Sequence, residues 1–236
     1  MITPFKEDFL CDWEALGHMI DYVIDGGTNY IVALGTTAET PTLTAEEKNE
    51  IIRFTRERIA GRVPLVVGAG GNNTAELIRH IKEMDLEGVE AILSVTPYYN
   101  KPSQEGLYRH FKAVAEASPR PIILYNVPSR TGRNLLPATV AKLAEHPNIV
   151  AIKEACGNIS QIAEVAALTH GKLDIYSGND DQIVPIMALG GKGVISVLSN
   201  LMPRVTSEMC HQFMAGKIDE SLNTQLALLD LINTLF

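Results

Sequence analysis

Cysteine is scarce: Cys11, Cys156 and Cys210 are the only three in 236 residues. They lie far apart, so they make neither an even disulfide framework nor a Cys-x-x-Cys zinc or redox motif. The six histidines include no His-Glu-x-x-His and no pair at ligand spacing, which leaves a metal without a sequence signal. Basic charge is short as well, with 20 lysines and arginines against 28 aspartates and glutamates and a net charge of −8. Nucleic-acid binding is therefore disfavoured, because a phosphate backbone needs a basic footprint. No apolar run approaches the roughly 20 residues of a membrane span. The segment from Met1 to Asp8 has no charged, apolar and small-residue regions of a secretory leader, so a soluble, cytoplasmic chain without a membrane partner is expected. Apolar residues, by contrast, make up 46% of the chain, enough for one extended core.

Those apolar residues fall in short runs rich in valine and isoleucine: Tyr30 to Leu34, Val63 to Val67, Val89 to Val95, Pro121 to Val127, Ile149 to Ile152, Leu173 to Tyr176 and Val194 to Val197. Each predicts a strand, and a segment of helical periodicity stands before the first run and after every one of the seven. The helical segments are Asp12 to Asp25, Thr44 to Ala60, Asn73 to Met84, Ser103 to Ala117, Pro137 to Glu145, Ile159 to Ala167, Gln182 to Leu189 and Pro203 to Ala215, several opened by a Thr, Ser, Asp or Asn cap. Continuously apolar strands suit a parallel sheet covered on both faces. A dinucleotide-binding sheet would want Gly-x-Gly-x-x-Gly in the first strand-to-helix turn, where Gly35-Thr36-Thr37-Ala38-Glu39 stands instead. The expected fold is therefore an α/β (β/α)8 TIM barrel over residues 1–217. Seven candidate strands are found, and only Met1-Ile2-Thr3-Pro4 remains before the first helix, so the first strand is expected to be truncated. The last stretch, Ile218 to Phe236, reads as the start of an incomplete C-terminal helical region over residues 218–236.

In such a barrel the chemistry sits at the carboxyl ends of the strands. Lys153 closes the run Ile149-Val150-Ala151-Ile152. A desolvated ammonium there would lose its proton more easily and become a nucleophile for a carbonyl; the alternative is a structural pair with an acid such as Glu154. Tyr125 ends the preceding strand at the same rim, either as a proton carrier or as an aromatic core residue. Tyr98 and Tyr99 point opposite ways on alternating geometry, so at most one of them is chemical. Thr36 and Thr37 offer a hydroxyl pair that relays protons, cradles a carboxylate or simply caps a turn. Arg130 has the planar fork that suits a carboxylate, or is a surface charge. The remaining carboxylates read mainly as helix-surface groups.

Five ordered motifs carry a resemblance that covers essentially the whole chain: Gly35-Thr36-Thr37-Ala38-Glu39, Val95-Thr96-Pro97-Tyr98-Tyr99-Asn100-Lys101-Pro102, Tyr125-Asn126-Val127-Pro128-Ser129-Arg130-Thr131-Gly132, Ile152-Lys153-Glu154-Ala155 and Gly193-Val194-Ile195-Ser196-Val197. The sequence resembles the dihydrodipicolinate synthase family, in the pyruvate-dependent class I aldolase group that includes N-acetylneuraminate lyase. The resemblance implies a lyase that joins pyruvate, as a Schiff base on Lys153, to L-aspartate 4-semialdehyde on the diaminopimelate route to lysine. It implies that Tyr125 carries protons, linked through Thr36 to Tyr99 of a neighbouring subunit. Thr37 would hold the pyruvate carboxylate, with the backbone near Ile195 and Gly178 completing the pocket, and Arg130 would receive the carboxylate of the second substrate. No metal or organic cofactor is implied, and a homo-oligomer, dimer or tetramer, is. Asn72, Glu76, Tyr98 and Lys48 fall where lysine-sensitive members bind that inhibitor, and a cation at Lys48 should repel its ammonium, so inhibition is expected to be weak or absent. Ala38 replaces a usual glycine and would strain the turn if the position needs a positive φ, and Asn179 stands where aspartate is common. Alternatives are an aldolase of the same group with another aldehyde, an N-acetylneuraminate lyase or keto-deoxy sugar acid aldolase, and a catalytically inactive truncated homologue.

Overall fold

A computed structural model describes residues 1–235, and Phe236, the last residue of the expected C-terminal helical region, lies outside the described residues. The chain runs through α1 (Trp13–Asp25), β1 (Ile31–Ala33), α2 (Ala45–Ile59), β2 (Leu65–Gly68), α3 (Thr74–Glu83), β3 (Val89–Val95) and α4 (Gln104–Ala117). It continues with β4 (Ile122–Asn126), α5 (Pro128–Thr131), α6 (Pro137–Leu143), β5 (Ile149–Glu154), α7 (Ile159–Thr169), β6 (Asp174–Ser177) and α8 (Ile183–Ala188). Last come β7 (Gly193–Val194), α9 (Pro203–Met214), α10 (Ile218–Ala227) and α11 (Leu229–Thr234). The alternation of strand and helix is as the apolar runs predict, and the fold class is α/β.

Helix starts follow local chemistry. Asp12 accepts from the Ala15 N–H at 3.0 Å, Asn158 from Gln161 at 3.1 Å and Ser103 from Gly106 at 3.2 Å. Thr44 and Glu47 form a reciprocal capping box at the start of α2. Each such cap satisfies an N–H that the helix itself cannot, worth about 1 kcal/mol.

The chain packs as two compact units. The first comprises residues 1–68, 85–90 and 196–236. In it β1 and β2 pair in parallel, Ile31 opposite Leu65 and Ala33 opposite Val67, and α1 packs on α2 and on α9. A Cβ on Gly68 would lie 1.9 Å from the Leu34 carbonyl oxygen, so only glycine lets β2 end against that carbonyl. The amino end is docked in this unit: the Met1 ammonium donates to the Val32 carbonyl at 2.9 Å and the Ile2 N–H to Asn200 Oδ1 at 3.0 Å. Residues 1–4 carry no assigned strand.

The second unit comprises residues 69–84 and 91–195. Here β3 to β7 lie in chain order, every pair parallel. All five residues of β4 are buried, as befits a strand covered on both faces. Helices α3, α4, α6, α7 and α8 pack in succession beside these strands.

Two expectations need correction, and one is refined. The seventh strand is Gly193–Val194 rather than Val194 to Val197. Beyond it Ile195 still donates to the Ser177 carbonyl at 2.8 Å, but Ser196 Oγ accepts from the Ser199 N–H at 2.9 Å and turns the chain into a short helical turn, Leu198–Asn200. The terminal helical segment comprises two helices that meet at Leu228, with no glycine or proline to announce the break. Ala38 does not carry strain: it sits in the short turn Thr36–Ala38, 1% exposed, and the left-handed residues are Leu34, before the turn, and Glu39, directly after it, both at φ 55°.

Candidate active site

The register of β4 against β5 builds the site. Tyr125 lies opposite Lys153 and Asn126 opposite Glu154. Partners across a parallel ladder share a face, and successive residues alternate, so Tyr125 and Lys153 stand together on one face while Asn126 and Glu154 stand on the other. The Lys153 Nζ lies 4.4 Å from the centre of the Tyr125 ring. Both residues are buried. The strand end is held by Thr96, whose N–H and hydroxyl both donate to the Tyr125 carbonyl, at 2.9 and 3.0 Å.

Burial lowers the Lys153 pKa from 10.5 to about 8; the carboxylate of Asp180 opposes this and the Arg130 guanidinium adds to it. A lysine in this state gives up its proton near neutral pH, which a nucleophile for a ketone requires. The stem of Lys153 packs against Gly178, where a Cβ would lie 3.1 Å from Lys153 Cε and 2.8 Å from the Ala155 Cβ. Gly178 also donates to the Glu154 carbonyl at 2.7 Å. Its lack of a side chain is therefore what lets the loop after β6 close on the lysine.

Arg130 lies exposed on α5, the four-residue turn that follows β4, and Gly132 ends that turn at φ 67°. Ile195 is buried at the end of β7. The second unit thus brings Lys153, Tyr125, Arg130 and Gly178 into one neighbourhood and adds Ile195. Thr36 and Thr37 belong to the first unit, in the turn after β1, where Thr40 Oγ1 donates to the Gly35 carbonyl at 2.9 Å. Lys48 is also in that unit, on α2.

Tyr99 points to solvent, 87% exposed and in the left-handed region at φ 71°, whereas Tyr98 is 38% exposed. Asn72 donates to the Tyr98 carbonyl at 3.2 Å, and Glu76 is engaged by Arg79. Among the described residues no group of acids, histidines and cysteines is gathered to hold a metal.

Two carboxylates depart from the surface role that most acids were expected to take. Glu154 is fully buried and does not serve as the partner of Lys153; its carboxylate accepts from Asn126 and from the Cys156 N–H. Burial raises its pKa from 4.5 to about 7. Asp180, 1% exposed, is the acid whose charge reaches the lysine. Its position three residues past β6 is the one sequence signal it carries, since that is where barrel enzymes place functional groups.

The whole chain, residues 1–236, matches the model of the dihydrodipicolinate synthetase family. The 4-hydroxy-tetrahydrodipicolinate synthase of Lachnoclostridium phytofermentans is 52% identical over 237 residues, covering 100% of this chain and 81% of that protein. That of Parabacteroides distasonis is 48% identical, covering 100% of this chain and 80% of that one. Among solved structures, the dihydrodipicolinate synthase of Thermotoga maritima superposes with a TM-score of 0.97 at 39% identity, over 100% of this chain and 81% of that one. The Aquifex aeolicus enzyme gives a TM-score of 0.95 at 43% identity, over 100% and 80%. With the family model matched from end to end and the fold shared throughout, the chain belongs to the dihydrodipicolinate synthetase family.

Proposed function

We propose that the chain is a lyase of the lysine pathway, a 4-hydroxy-tetrahydrodipicolinate synthase working on a TIM-barrel scaffold. The observation that carries the reading is the buried Lys153, its pKa drawn down to about 8, set against the Tyr125 ring at the ends of adjacent strands. Neutral Lys153 adds to the C2 ketone of pyruvate, and loss of water leaves an iminium. Removal of a methyl proton gives the enamine, whose carbon attacks the aldehyde of L-aspartate 4-semialdehyde to form the C–C bond. The amino group of that substrate then adds to the iminium carbon and expels Lys153, closing the ring. The scheme moves protons and needs no redox partner.

Tyr125 is the group proposed to carry those protons, and Arg130 to take the carboxylate of the aldehyde substrate. Gly178 and Ile195 supply backbone around the pyruvate. From the family resemblance, Thr36 is assigned to the proton relay, Thr37 to the pyruvate carboxylate, and Tyr99 to the site of a second copy in a homo-oligomer. Inhibition by lysine is proposed to be weak, which titration of turnover with L-lysine checks.

The reading is tested by reduction with borohydride in the presence of pyruvate, followed by mass mapping. A pyruvyl adduct on Lys153 is the expected result, and a folded sample without one overturns the reading. A screen of aldehydes then separates the synthase from other pyruvate aldolases: loss of preference for aspartate semialdehyde overturns the substrate assignment.

A further inference from the structure

Behind the Tyr125 and Lys153 pair, on the opposite face of the same two strands, lies a closed set of polar side chains. Asn126 and Glu154, each directly following one of that pair in sequence, are both fully buried. Asn126 Nδ2 donates to the Glu154 carboxylate at 3.0 and 3.3 Å and to Asn134 Oδ1 at 2.9 Å, while Asn126 Oδ1 accepts the Leu135 N–H at 2.9 Å. Asn134 and Gln161 pair amide to amide: Asn134 Nδ2 donates to Gln161 Oε1 at 2.7 Å, and Gln161 Nε2 to Asn134 Oδ1 at 3.1 Å. The Cys156 N–H completes the set on Glu154 Oε1 at 2.9 Å. Four side chains from β4, the segment after α5, β5 and α7 thereby form one network.

The topology of these bonds matters more than their number. The segment from Asn126 to Leu135 contains α5 and Arg130, and Asn126 binds the far end of that segment through both Asn134 and Leu135. Asn126 also binds Glu154, the neighbour of Lys153. One amide therefore fixes the loop that presents Arg130 and the alignment of Tyr125 with Lys153. A buried carboxyl and three carboxamides are an expensive way to fill space, since apolar residues of the same volume would do so at lower cost. What directional bonds add is a single arrangement, which reacting groups require.

We propose that Glu154, Asn126, Asn134 and Gln161 are the positioning residues of this site: they touch no reacting atom, yet they hold Tyr125, Lys153 and the Arg130 loop in productive alignment. The inference rests on the synthase reading and adds to it a set of residues on the far side of the sheet. Gln161 is the cleanest probe, because it belongs to α7 and acts only through Asn134 and the Leu135 carbonyl. A misplacement of about 1 Å at reacting groups costs up to about 100-fold in rate.

The experiment uses the full chain and three variants, Gln161→Leu, Glu154→Leu and Glu154→Gln, each checked for folding by circular dichroism and thermal unfolding. For Gln161→Leu and Glu154→Leu, kcat should fall by about 10- to 100-fold while the KM for pyruvate stays within about 3-fold, the signature of lost transition-state alignment rather than lost binding. Glu154→Gln should recover part of that loss, because Oε1 accepts the two shorter bonds, from Asn126 and from the Cys156 N–H, and an amide oxygen can replace it, while the 3.3 Å bond from Asn126 to Oε2 is lost. Full kcat in folded leucine variants, a loss that only tracks the unfolded fraction, or a Glu154→Gln as impaired as Glu154→Leu would each overturn the proposal. Borohydride trapping on the wild type keeps the two claims apart. An adduct on Lys153 together with unchanged leucine variants overturns this inference alone, and no adduct overturns the synthase reading and this inference with it.

Discussion

An amine attacks a ketone only in its neutral form, so the pH at which Lys153 loses its proton sets where the first covalent step can run. Burial brings that pKa to about 8. The rate of imine formation with pyruvate should therefore rise with pH through about 8 and level off above it, where an ordinary lysine would go on climbing toward 10.4. Stopped-flow trapping across pH 6 to 10 measures this, and a rate still rising steeply above about 9.5 would show that burial does not act on the amine. Tyr125→Phe should keep the fold and lower kcat by roughly 100-fold or more if the phenol carries the protons. Gly178→Ala tests the packing of the lysine stem. Its Cβ would meet Lys153 Cε at 3.1 Å, so a loss of kcat of about 10-fold or more is expected with the protein still folded. At this scale the pairing of Lys153 with Tyr125 was legible, because a lysine and a phenol near the ends of successive apolar runs fall at one rim of a parallel sheet. Glu154, Asn126 and Gln161 were not. Each is an ordinary residue at a strand end or helix start, and only the register of β4 on β5 reveals that they face one another.

Helix α4 shows how an element can carry a pH response away from the chemistry. His110 is buried, with Nδ1 2.8 Å from the Thr74 hydroxyl at the start of α3 and Nε2 without a hydrogen-bond partner among the described residues. Burial lowers its pKa from 6.5 to about 4. The unfolded chain takes up a proton near pH 6.5 and the folded chain only near pH 4, so stability falls as pH drops through that window and levels out below it. The loss is about 3 kcal/mol for a shift of this size. Glu154 acts in the opposite sense, since its raised pKa of about 7 makes stability fall as pH climbs from about 4.5 to 7. The test is therefore a difference: as pH drops from about 6.5 to 4 the wild type should lose stability relative to His110→Gln, whatever Glu154 does to both, and parallel curves would remove His110 as the cause. Elements as such were read well from capping residues such as Asp12, Thr44, Ser103 and Asn158, because a cap is a local signal. The break at Leu228 and the short β7 were not legible. The first is announced by no breaker residue, and the second is decided by a serine hydroxyl that takes over a backbone N–H.

For the molecule as a whole, the telling residue is Tyr99. A tyrosine in the left-handed region is strained by about 1–3 kcal/mol, and this one is also 87% exposed, so its own chain gives it little packing in return. The resemblance assigns this phenol to a neighbouring subunit, and if that assignment holds it supplies a reason for holding the side chain out. Two inactive variants can test that. Lys153→Met keeps the phenol and loses the nucleophile, and Tyr99→Phe does the reverse. If the two are co-expressed with different tags and the mixed pairs are isolated, a phenol acting across the interface gives one site of each pair both groups. Mixed pairs should then show about half the wild-type turnover per pair, as two-fold symmetry requires. If instead Tyr99 serves the Lys153 of its own chain, no site in the mixed pair holds both groups. The mixed pairs would then be as inactive as either parent, and the assignment to a second copy would be wrong.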